Sequence, residues 1–161
     1  MVASNDDLVF LDDSEDGTGD AANLQPWRVL VVDDDQDVHE ATRFALAHLL
    51  ILGRPLELLH AHSAREALEL LQREGDIAVI LLDVVMPQMD GYQVMQALQE
   101  MPQALHIPVI FLTAKVEESA EAHGLALGAV DYIHKPISPA IVLARVRNHL
   151  ELKAARDLLH D

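Results

Sequence analysis

Apolar residues in this chain follow two alternating patterns, short continuous runs and longer segments with helical spacing. Five runs predict β-strands, at about residues 28–32, 57–61, 77–82, 109–112 and 130–134. Continuous apolar character is typical of strands buried on both faces, as in a parallel sheet. Five further segments predict helices, at about residues 38–52, 63–74, 91–100, 117–127 and from 138 onward. The alternation predicts an α/β fold, a doubly wound five-stranded parallel sheet with right-handed crossovers.

Charged or hydroxyl side chains follow four of the five predicted strands. The carboxyl ends of parallel strands meet at one edge of a sheet, where α/β proteins place their sites. The second strand is followed less informatively, by His62 and Ser63. The residues at the other four strand ends are Asp33, Asp34 and Asp35 after the first strand, Asp83 after the third, Thr113 after the fourth, and His134 and Lys135 after the fifth.

These residue types together indicate phosphoryl chemistry. Several carboxylates at one edge repel each other, and a hard divalent cation such as Mg²⁺ relieves that repulsion. A lysine and a threonine hydroxyl complete a cradle for phosphoryl oxygens. A carboxylate at the centre can act as nucleophile and form an acyl phosphate. Any one of these residues alone would be interpreted as a helix cap or a surface acid; the whole set favours a phosphoryl site.

Composition excludes several other classes of protein. A length of 161 residues suits one domain, and the lack of cysteine excludes disulfides, cysteine–zinc sites, iron–sulfur clusters and a thiol nucleophile. No apolar run approaches the roughly 18 residues of a membrane span, and no signal peptide is evident, so we expect a cytoplasmic protein without membrane contact. The net charge of −16 argues against direct nucleic-acid binding.

The acidity is concentrated at the start of the chain. Residues 1–26 carry seven acids and no base, which predicts a flexible tail. The spacing of acids from Asp12 imitates the start of an EF-hand loop, but Asn23 stands at the twelfth position, where the bidentate Glu belongs. We therefore predict an acidic tail over residues 1–26, a domain over 27–150 and an extension of the last helix over 151–161.

Nine histidines are scattered along the chain, and His60 and His62 are near neighbours. On a strand their side chains share a face. No third ligand is evident in the sequence, so a packing or surface role is the better interpretation than a metal site.

Four stretches of the sequence resemble the receiver domain of two-component response regulators. They occur in the family's order and spacing over roughly residues 27–150. The resemblance implies a flavodoxin-like sheet with strand order 2-1-3-4-5. The four stretches are Val-Val-Asp-Asp-Asp at 31–35, Leu-Leu-Asp-Val-Val-Met-Pro-Gln-Met-Asp-Gly at 81–91, Phe-Leu-Thr-Ala at 111–114 and Gly-Ala-Val-Asp-Tyr-Ile-His-Lys-Pro at 128–136.

The resemblance also implies a phosphoacceptor and a metal site. Asp83 would accept the phosphoryl group. Asp34 and Asp83 would bind Mg²⁺ through their side chains, with the backbone carbonyl of Val85 as a third ligand. Asp33 would act mainly through a metal-bound water.

Further residues match the family's switching machinery. Lys135 would pair with phosphoryl oxygens, Thr113 would donate its hydroxyl to one of them, and the Lys135–Pro136 bond would be cis. Tyr132 matches the aromatic switch position and would turn inward, remodelling the face formed by helix four, strand five and helix five. Gln88 stands where glycine is common, and we expect little consequence.

These features predict a signalling domain that takes a phosphoryl group from the phosphohistidine of a sensor histidine kinase. It would promote its own phosphorylation and dephosphorylation without being a turnover enzyme. Two alternatives remain. Asp33 and Asp35 resemble the acid pair of haloacid-dehalogenase-like, Mg²⁺-dependent phosphatases, and the domain could also act as a phosphorylation-independent docking module.

The last predicted helix suggests a connection to something larger. Val142, Val146 and Leu150 form an apolar stripe, and helical character continues past the usual end of a receiver. Such an extension can pair with its twin or lead into a C-terminal output domain. Residues 136–152 resemble receivers attached to cyclic-dinucleotide signalling enzymes, especially HD-type phosphodiesterases. Self-dimerisation through the helix-four, strand-five, helix-five face is a further expectation.

Overall fold

The computed structural model describes residues 25–114 and 118–160. The predicted acidic tail, with its EF-hand-like spacing, lies almost wholly outside these residues. The described chain forms one six-stranded sheet with the order β2-β3-β1-β4-β5-β6. The β2–β3 pair is antiparallel and every other pair is parallel. The strands are β1 (Trp27–Val32), β2 (Leu50–Ile51), β3 (Arg54–Ala61), β4 (Ile77–Asp83), β5 (Val109–Thr113) and β6 (Asp131–His134).

Helices cover both faces of the sheet, and a hydrophobic core lies on each side. The first core contains residues of α2 and α3, and the second contains residues of α1 and α5. Neighbouring strand residues alternate between them, so Val32 packs in the first core and Val31 in the second. The helices are α1 (Gln36–Leu46), α2 (Ala64–Arg73), α3 (Gly91–Leu98), α4 (Glu118–Ala126) and α5 (Pro139–His160), with a 3₁₀ turn at Pro102–Ala104.

Side-chain caps begin three of the helices that follow the strands. The Asp35 carboxylate accepts a hydrogen bond from the Asp37 N–H and begins α1. Ser63 caps α2 as predicted. Asp90 and Gln93 form a reciprocal capping box at the start of α3. The loops that lead into α1, α2 and α3 are therefore each held by a side-chain cap where the helix begins.

The predicted helix over residues 38–52 is wrong at its end, because α1 stops at Leu46. The chain turns instead through Leu52 and Gly53, both with positive φ, and forms the β2–β3 hairpin. Ile51 is buried there, and its carbonyl accepts a hydrogen bond of 2.8 Å from the Trp27 indole N–H. Burial of Ile51, its contact with Trp27 and the pairing of β2 with β3 explain why apolar spacing that also suits a helix gives way to a strand. For the same reason β3 begins at Arg54, three residues before its predicted start.

The last helix is the longest, and its two halves differ. Val142, Val146 and Leu150 are fully buried, as the apolar stripe predicts. Beyond them the helix continues to His160, where Leu158 and Leu159 are largely exposed. No helix among the described residues combines the length and apolar character that crossing a membrane requires.

Candidate functional site

Four strands bring the predicted site residues to one edge of the sheet. Asp33 directly follows β1, Asp83 ends β4, Thr113 ends β5 and Lys135 directly follows β6. The pairing register aligns these ends, since Asp83 lies opposite Leu112 and Thr113 opposite His134. The Lys135–Pro136 peptide bond is cis, as predicted.

Three carboxylates meet at this edge. Asp33 and Asp83 are buried, Asp34 is exposed, and each offers an oxygen within 4.8 Å of the others. The Lys135 ammonium lies 2.8 Å from Asp33 Oδ2 and 3.1 Å from Asp83 Oδ1. One cation therefore bridges two buried acids, with one formal negative charge left over between them and a second on Asp34.

Every polar atom of Asp33 has a partner within the chain. Its N–H donates to the Ala61 carbonyl at 3.1 Å, and its Oδ1 accepts from the Asp35 N–H at 2.9 Å. Its own carbonyl lies 2.7 Å from His39 Nε2. Its Oδ2 is buried and faces the Lys135 ammonium at 2.8 Å as an ion pair, with a second lone pair to spare. This oxygen retains capacity for a donor such as a metal-bound water.

The donor set fits Mg²⁺. All three side chains are carboxylates, the hard oxygen ligands that this ion prefers, and the exposed Asp34 leaves room for coordinated water. Val85 is on the loop directly after β4, and its N–H donates to Asp83 Oδ1 at 3.3 Å. The Val85 side chain is exposed, so its backbone can adjoin the acids without any need to bury that side chain in the core.

The acids and the lysine shift each other's proton affinities. Burial, and next to it the charge of Asp33, raises the pKa of Asp83 to about 7, although Lys135 opposes the shift. Burial alone would lower the pKa of Lys135, but its contacts with Asp33 and Asp83 outweigh burial and raise it. The lysine is therefore charged at neutral pH, while Asp83 is held near its ionisation point without a metal.

Thr113 and Tyr132 lie on the neighbouring strands β5 and β6. Thr113 is 2% exposed, and its carbonyl accepts a hydrogen bond of 2.8 Å from the Lys135 N–H. Tyr132 is turned inward, with its ring packed edge-on against Phe111 at 5.8 Å between centroids. Its hydroxyl donates to the Glu121 carbonyl of α4 at 2.9 Å. The predicted switch residue thus connects β6 to α4.

The family model for the response regulator receiver domain matches residues 29–147. The chain belongs to this family. A Vibrio cholerae protein named "Probable cyclic di-GMP phosphodiesterase" is 39% identical over 137 residues, which are 85% of this chain and 30% of that protein. Response regulator SaeR of Staphylococcus aureus is 34% identical over 122 residues, which are 76% of this chain and 50% of that protein. The chain thus spans half or less of these two relatives.

Solved receiver structures have the same fold. The chemotaxis response regulator CheY4 of Vibrio cholerae superposes with a TM-score of 0.69 at 28% identity, covering 78% of this chain and 99% of CheY4. A Francisella response regulator receiver domain gives 0.68 at 29% identity, covering 80% and 99%. The predicted strand order is confirmed, with β2 added at the edge. Receiver domains are signalling domains and generally not classical enzymes.

Two glycines in this receiver domain do more than the sequence suggested. A Cβ on Gly91 would collide with the Asp83 carbonyl oxygen and lie 3.0 Å from the Val84 Cα, so α3 starts directly against the Asp83 backbone. A Cβ on Gly124 would collide with the Tyr132 hydroxyl. The Met-Asp-Gly motif carried a signal for Gly91, whereas Gly124 needed the packing of α4 on β6 to be noticed.

Gln88 takes a conformation that explains why glycine is common at its position. Its φ of 72° lies in the left-handed region, where a side chain costs about 1–2 kcal/mol. The expectation of little consequence therefore overlooked local backbone strain in the loop after Asp83.

A histidine cluster also adjoins the site. His39 on α1 is buried between His60 and His62, with its ring 4.1 Å from that of His62. The acid trio is the group of potential metal ligands that converges within residues 25–114 and 118–160, and the histidines do not join it. Burial lowers the pKa of His60 to about 4. The sequence analysis did not connect His39 with His60 and His62, because His39 lies 21 residues before His60.

Proposed function

We propose that this receiver domain accepts a phosphoryl group on Asp83 from the phosphohistidine of a sensor histidine kinase, with Mg²⁺ required. The observation that carries the proposal is the contact set of the buried Asp83 carboxylate. It lies 3.1 Å from the Lys135 ammonium, and one of its oxygens is within 4.8 Å of an oxygen of Asp33 and of Asp34. A structural ion pair would need Lys135 and one acid, whereas a phosphoacceptor needs all four groups.

In the proposed reaction a carboxylate oxygen of Asp83 attacks the phosphorus. The new O–P bond gives an aspartyl phosphate, while the P–N bond of the phosphohistidine breaks and its electron pair returns to the imidazole. Lys135 faces the incoming oxygens and balances their charge. Thr113, at the end of the neighbouring strand, would donate its hydroxyl to one of them.

Asp34, Asp83 and the Val85 carbonyl would hold Mg²⁺, and Asp33 would hold one of its waters. When bound, the ion offsets the repulsion between acids and phosphoryl oxygens. The pKa of Asp83, about 7 without a metal, means that a nearby cation favours the ionised, nucleophilic form. Burial and the charge of Asp33 thus keep Asp83 near its ionisation point, from which metal binding would shift it to the nucleophilic form.

The proposed output runs through Tyr132. Thr113 would move toward the phosphoryl group, and this movement would favour the inward position in which the Tyr132 ring already lies. Because Tyr132 contacts the α4 backbone through its hydroxyl, its position is linked to that of α4. The face formed by α4, β6 and α5 would carry the signal or form a self-dimer.

The proposed kinase contact lies beside Lys135. A surface hollow of about 450 Å³ adjoins the lysine between α1 and the segment after β6. Its lining is mainly apolar, from Val38, Ala41, Pro136 and Ile137, and includes the acids Asp35 and Asp37. Such a hollow suits apolar side chains of a helical partner that presents its phosphohistidine to Asp83. A kinase of this kind would place the reaction in the cytoplasm.

The proposed domain boundaries are an acidic tail over residues 1–26, the receiver over 27–150 and a linker over 151–161. The linker follows from α5, which continues to His160 with its last leucines exposed. It would pair with a second copy or lead into an output domain. The Vibrio cholerae relative makes a cyclic-dinucleotide enzyme the output we propose to test first.

The test is intact mass after incubation with acetyl phosphate, with and without Mg²⁺, on the wild type and Asp83→Ala. We expect a single Mg²⁺-dependent adduct of one phosphoryl group that is absent from the variant. An adduct retained by Asp83→Ala would contradict the assignment of the acceptor. No adduct, together with no binding of beryllofluoride, would leave the docking-module alternative.

A second assay separates the phosphatase alternative. A haloacid-dehalogenase-type enzyme would turn over p-nitrophenyl phosphate many times through Asp33. We expect no sustained turnover, because Asp33 is fully buried behind Lys135 and its backbone and Oδ1 are already held. Sustained turnover that Asp33→Asn abolishes would favour the phosphatase.

A further inference from the structure

A chain of three short polar contacts leads from the protein surface to the backbone of Asp33. Arg43 Nη2 lies 3.3 Å from His60 Nε2. His60 Nδ1 lies 2.8 Å from His39 Nδ1. His39 Nε2 lies 2.7 Å from the Asp33 carbonyl oxygen. His39 is 1% exposed, so these contacts connect solvent to the acidic site through a buried imidazole.

The two ends of this chain fix every proton within it. A carbonyl oxygen accepts only, so His39 Nε2 carries a proton and donates to Asp33. A guanidinium donates only, so His60 Nε2 is bare and accepts from Arg43. Two N–H groups cannot face each other at 2.8 Å. A neutral His39 therefore accepts at Nδ1, and His60 donates from Nδ1.

The last contact completes the restraint of Asp33. Its N–H and Oδ1 are held by backbone groups of Ala61 and Asp35. His39 is the side chain that holds its carbonyl, and this carbonyl belongs to the peptide linking Asp33 to Asp34. The orientation of that peptide determines where the Asp34 side chain starts.

We propose that His39 is a positioning residue for the acidic site, held in one tautomer by His60 and Arg43, and that it orients the Asp33–Asp34 peptide for metal binding. The metal part of this inference rests on the proposed function. The hydrogen-bond relay itself does not. His62, stacked on His39 with its Nε2 2.9 Å from Gln36 Oε1, encloses the relay on its outer side.

The first test uses ¹⁵N-labelled wild-type protein without metal. Two-bond N–H couplings of the imidazole rings report which nitrogen carries the proton, and His→Gln variants at positions 39 and 60 assign the signals. We expect His39 protonated at Nε2 and His60 at Nδ1, the less common tautomer of free histidine. A His60 ring protonated at Nε2, or a His39 ring protonated at Nδ1 alone, would overturn the relay.

The second test measures Mg²⁺ affinity by calorimetry. His39→Phe keeps the ring but loses the donor, and we expect affinity to fall about 10-fold or more, the usual effect of removing a partner that orients a ligand. His39→Gln keeps an amide donor at a similar reach, and we expect it to restore affinity to within about threefold of wild type.

Thr42→Val is the matched control. Thr42 is buried on the same helix and donates to the Val38 carbonyl at 2.7 Å, away from the acids. It should lose stability but keep wild-type Mg²⁺ affinity. A folded His39→Phe with wild-type affinity, or an equal loss in Thr42→Val, would refute the positioning role. If wild type itself binds no Mg²⁺, the proposed function fails, while the ¹⁵N experiment still decides the relay.

Discussion

Replacing Asp83, the proposed phosphoacceptor, by its neutral isostere asparagine should stabilise the metal-free protein, and increasingly so as the pH rises. The folded state raises the pKa of Asp83 from 3.8 to about 7. A raised carboxyl pKa means that folded protein binds this proton more tightly than unfolded chain. The destabilisation of the folded state by ionised Asp83 is therefore absent below about pH 4, grows between pH 4 and 7, and is complete above pH 7.

The size of the effect follows from that shift. A change of about three pKa units at ~1.4 kcal/mol each gives a ceiling of about 4 kcal/mol. Reorientation of the ionised carboxylate toward water relieves part of it, so we expect a measured gain of about 2–3 kcal/mol at pH 8. At pH 5.5 the gain should be smaller, because part of the penalty develops only above that pH.

Urea denaturation with EDTA at pH 5.5, 7 and 8 measures this gain. Asp34→Asn is the control, since Asp34 belongs to the same acid trio but is exposed and relieves little burial cost. Added Mg²⁺ should narrow the difference by stabilising wild type alone. A gain that is independent of pH, or an Asp83→Asn variant less stable than wild type at pH 8, would refute the burial argument.

Further predictions concern the glycines, the strained loop and the helix extension. Gly124→Ala should expel the Tyr132 ring and destabilise the fold by about 1–3 kcal/mol, seen in near-ultraviolet circular dichroism and urea melts. Gly91→Ala should displace the Asp83 backbone and slow adduct formation with acetyl phosphate, followed by mass. The gain in stability on Asp83→Asn should still be seen in the Gly91→Ala background. Gln88→Gly should raise stability by about 1 kcal/mol by relieving the positive φ, and unchanged thermal melting would contradict this. Leu159→Glu should abolish self-association in analytical ultracentrifugation if α5 pairs with a second copy; a wild type that stays monomeric at high concentration would leave only the output-domain role.

The position of the acids was predictable from sequence because it depends on a general rule. Strands that are buried and parallel end at one edge, so Asp33, Asp83 and Lys135 had to converge wherever the strands were paired in register. The cis Lys135–Pro136 bond came from the resemblance and not from the residues themselves. The resemblance implied that Tyr132 turns inward on phosphorylation and did not predict its inward position in this structure, which depends on the space that Gly124 leaves for the Tyr132 hydroxyl.

Other features depend on contacts between segments distant along the chain. Leu49 to Leu52 suit a helix or a strand equally, and only burial of Ile51 under Trp27 decides in favour of β2. The His39–His60 contact needs the exact placement of α1 on β3, which spacing within either element does not provide. The apolar pattern therefore predicts the layers of the fold and the edge of the sheet where the site lies. Contacts between side chains of different layers become visible only in the three-dimensional structure.

The alternation of residues along β6 divides its side chains between the two cores. Tyr132 packs in the core shared with α2 and α3, while its neighbour Ile133 packs in the core shared with α1 and α5. The backbone does not share this separation, because Arg145 Nε of α5 lies 3.3 Å from the Tyr132 carbonyl oxygen. A shift of the β6 backbone would therefore reach the last helix directly, even though the Tyr132 and Ile133 side chains pack in different cores.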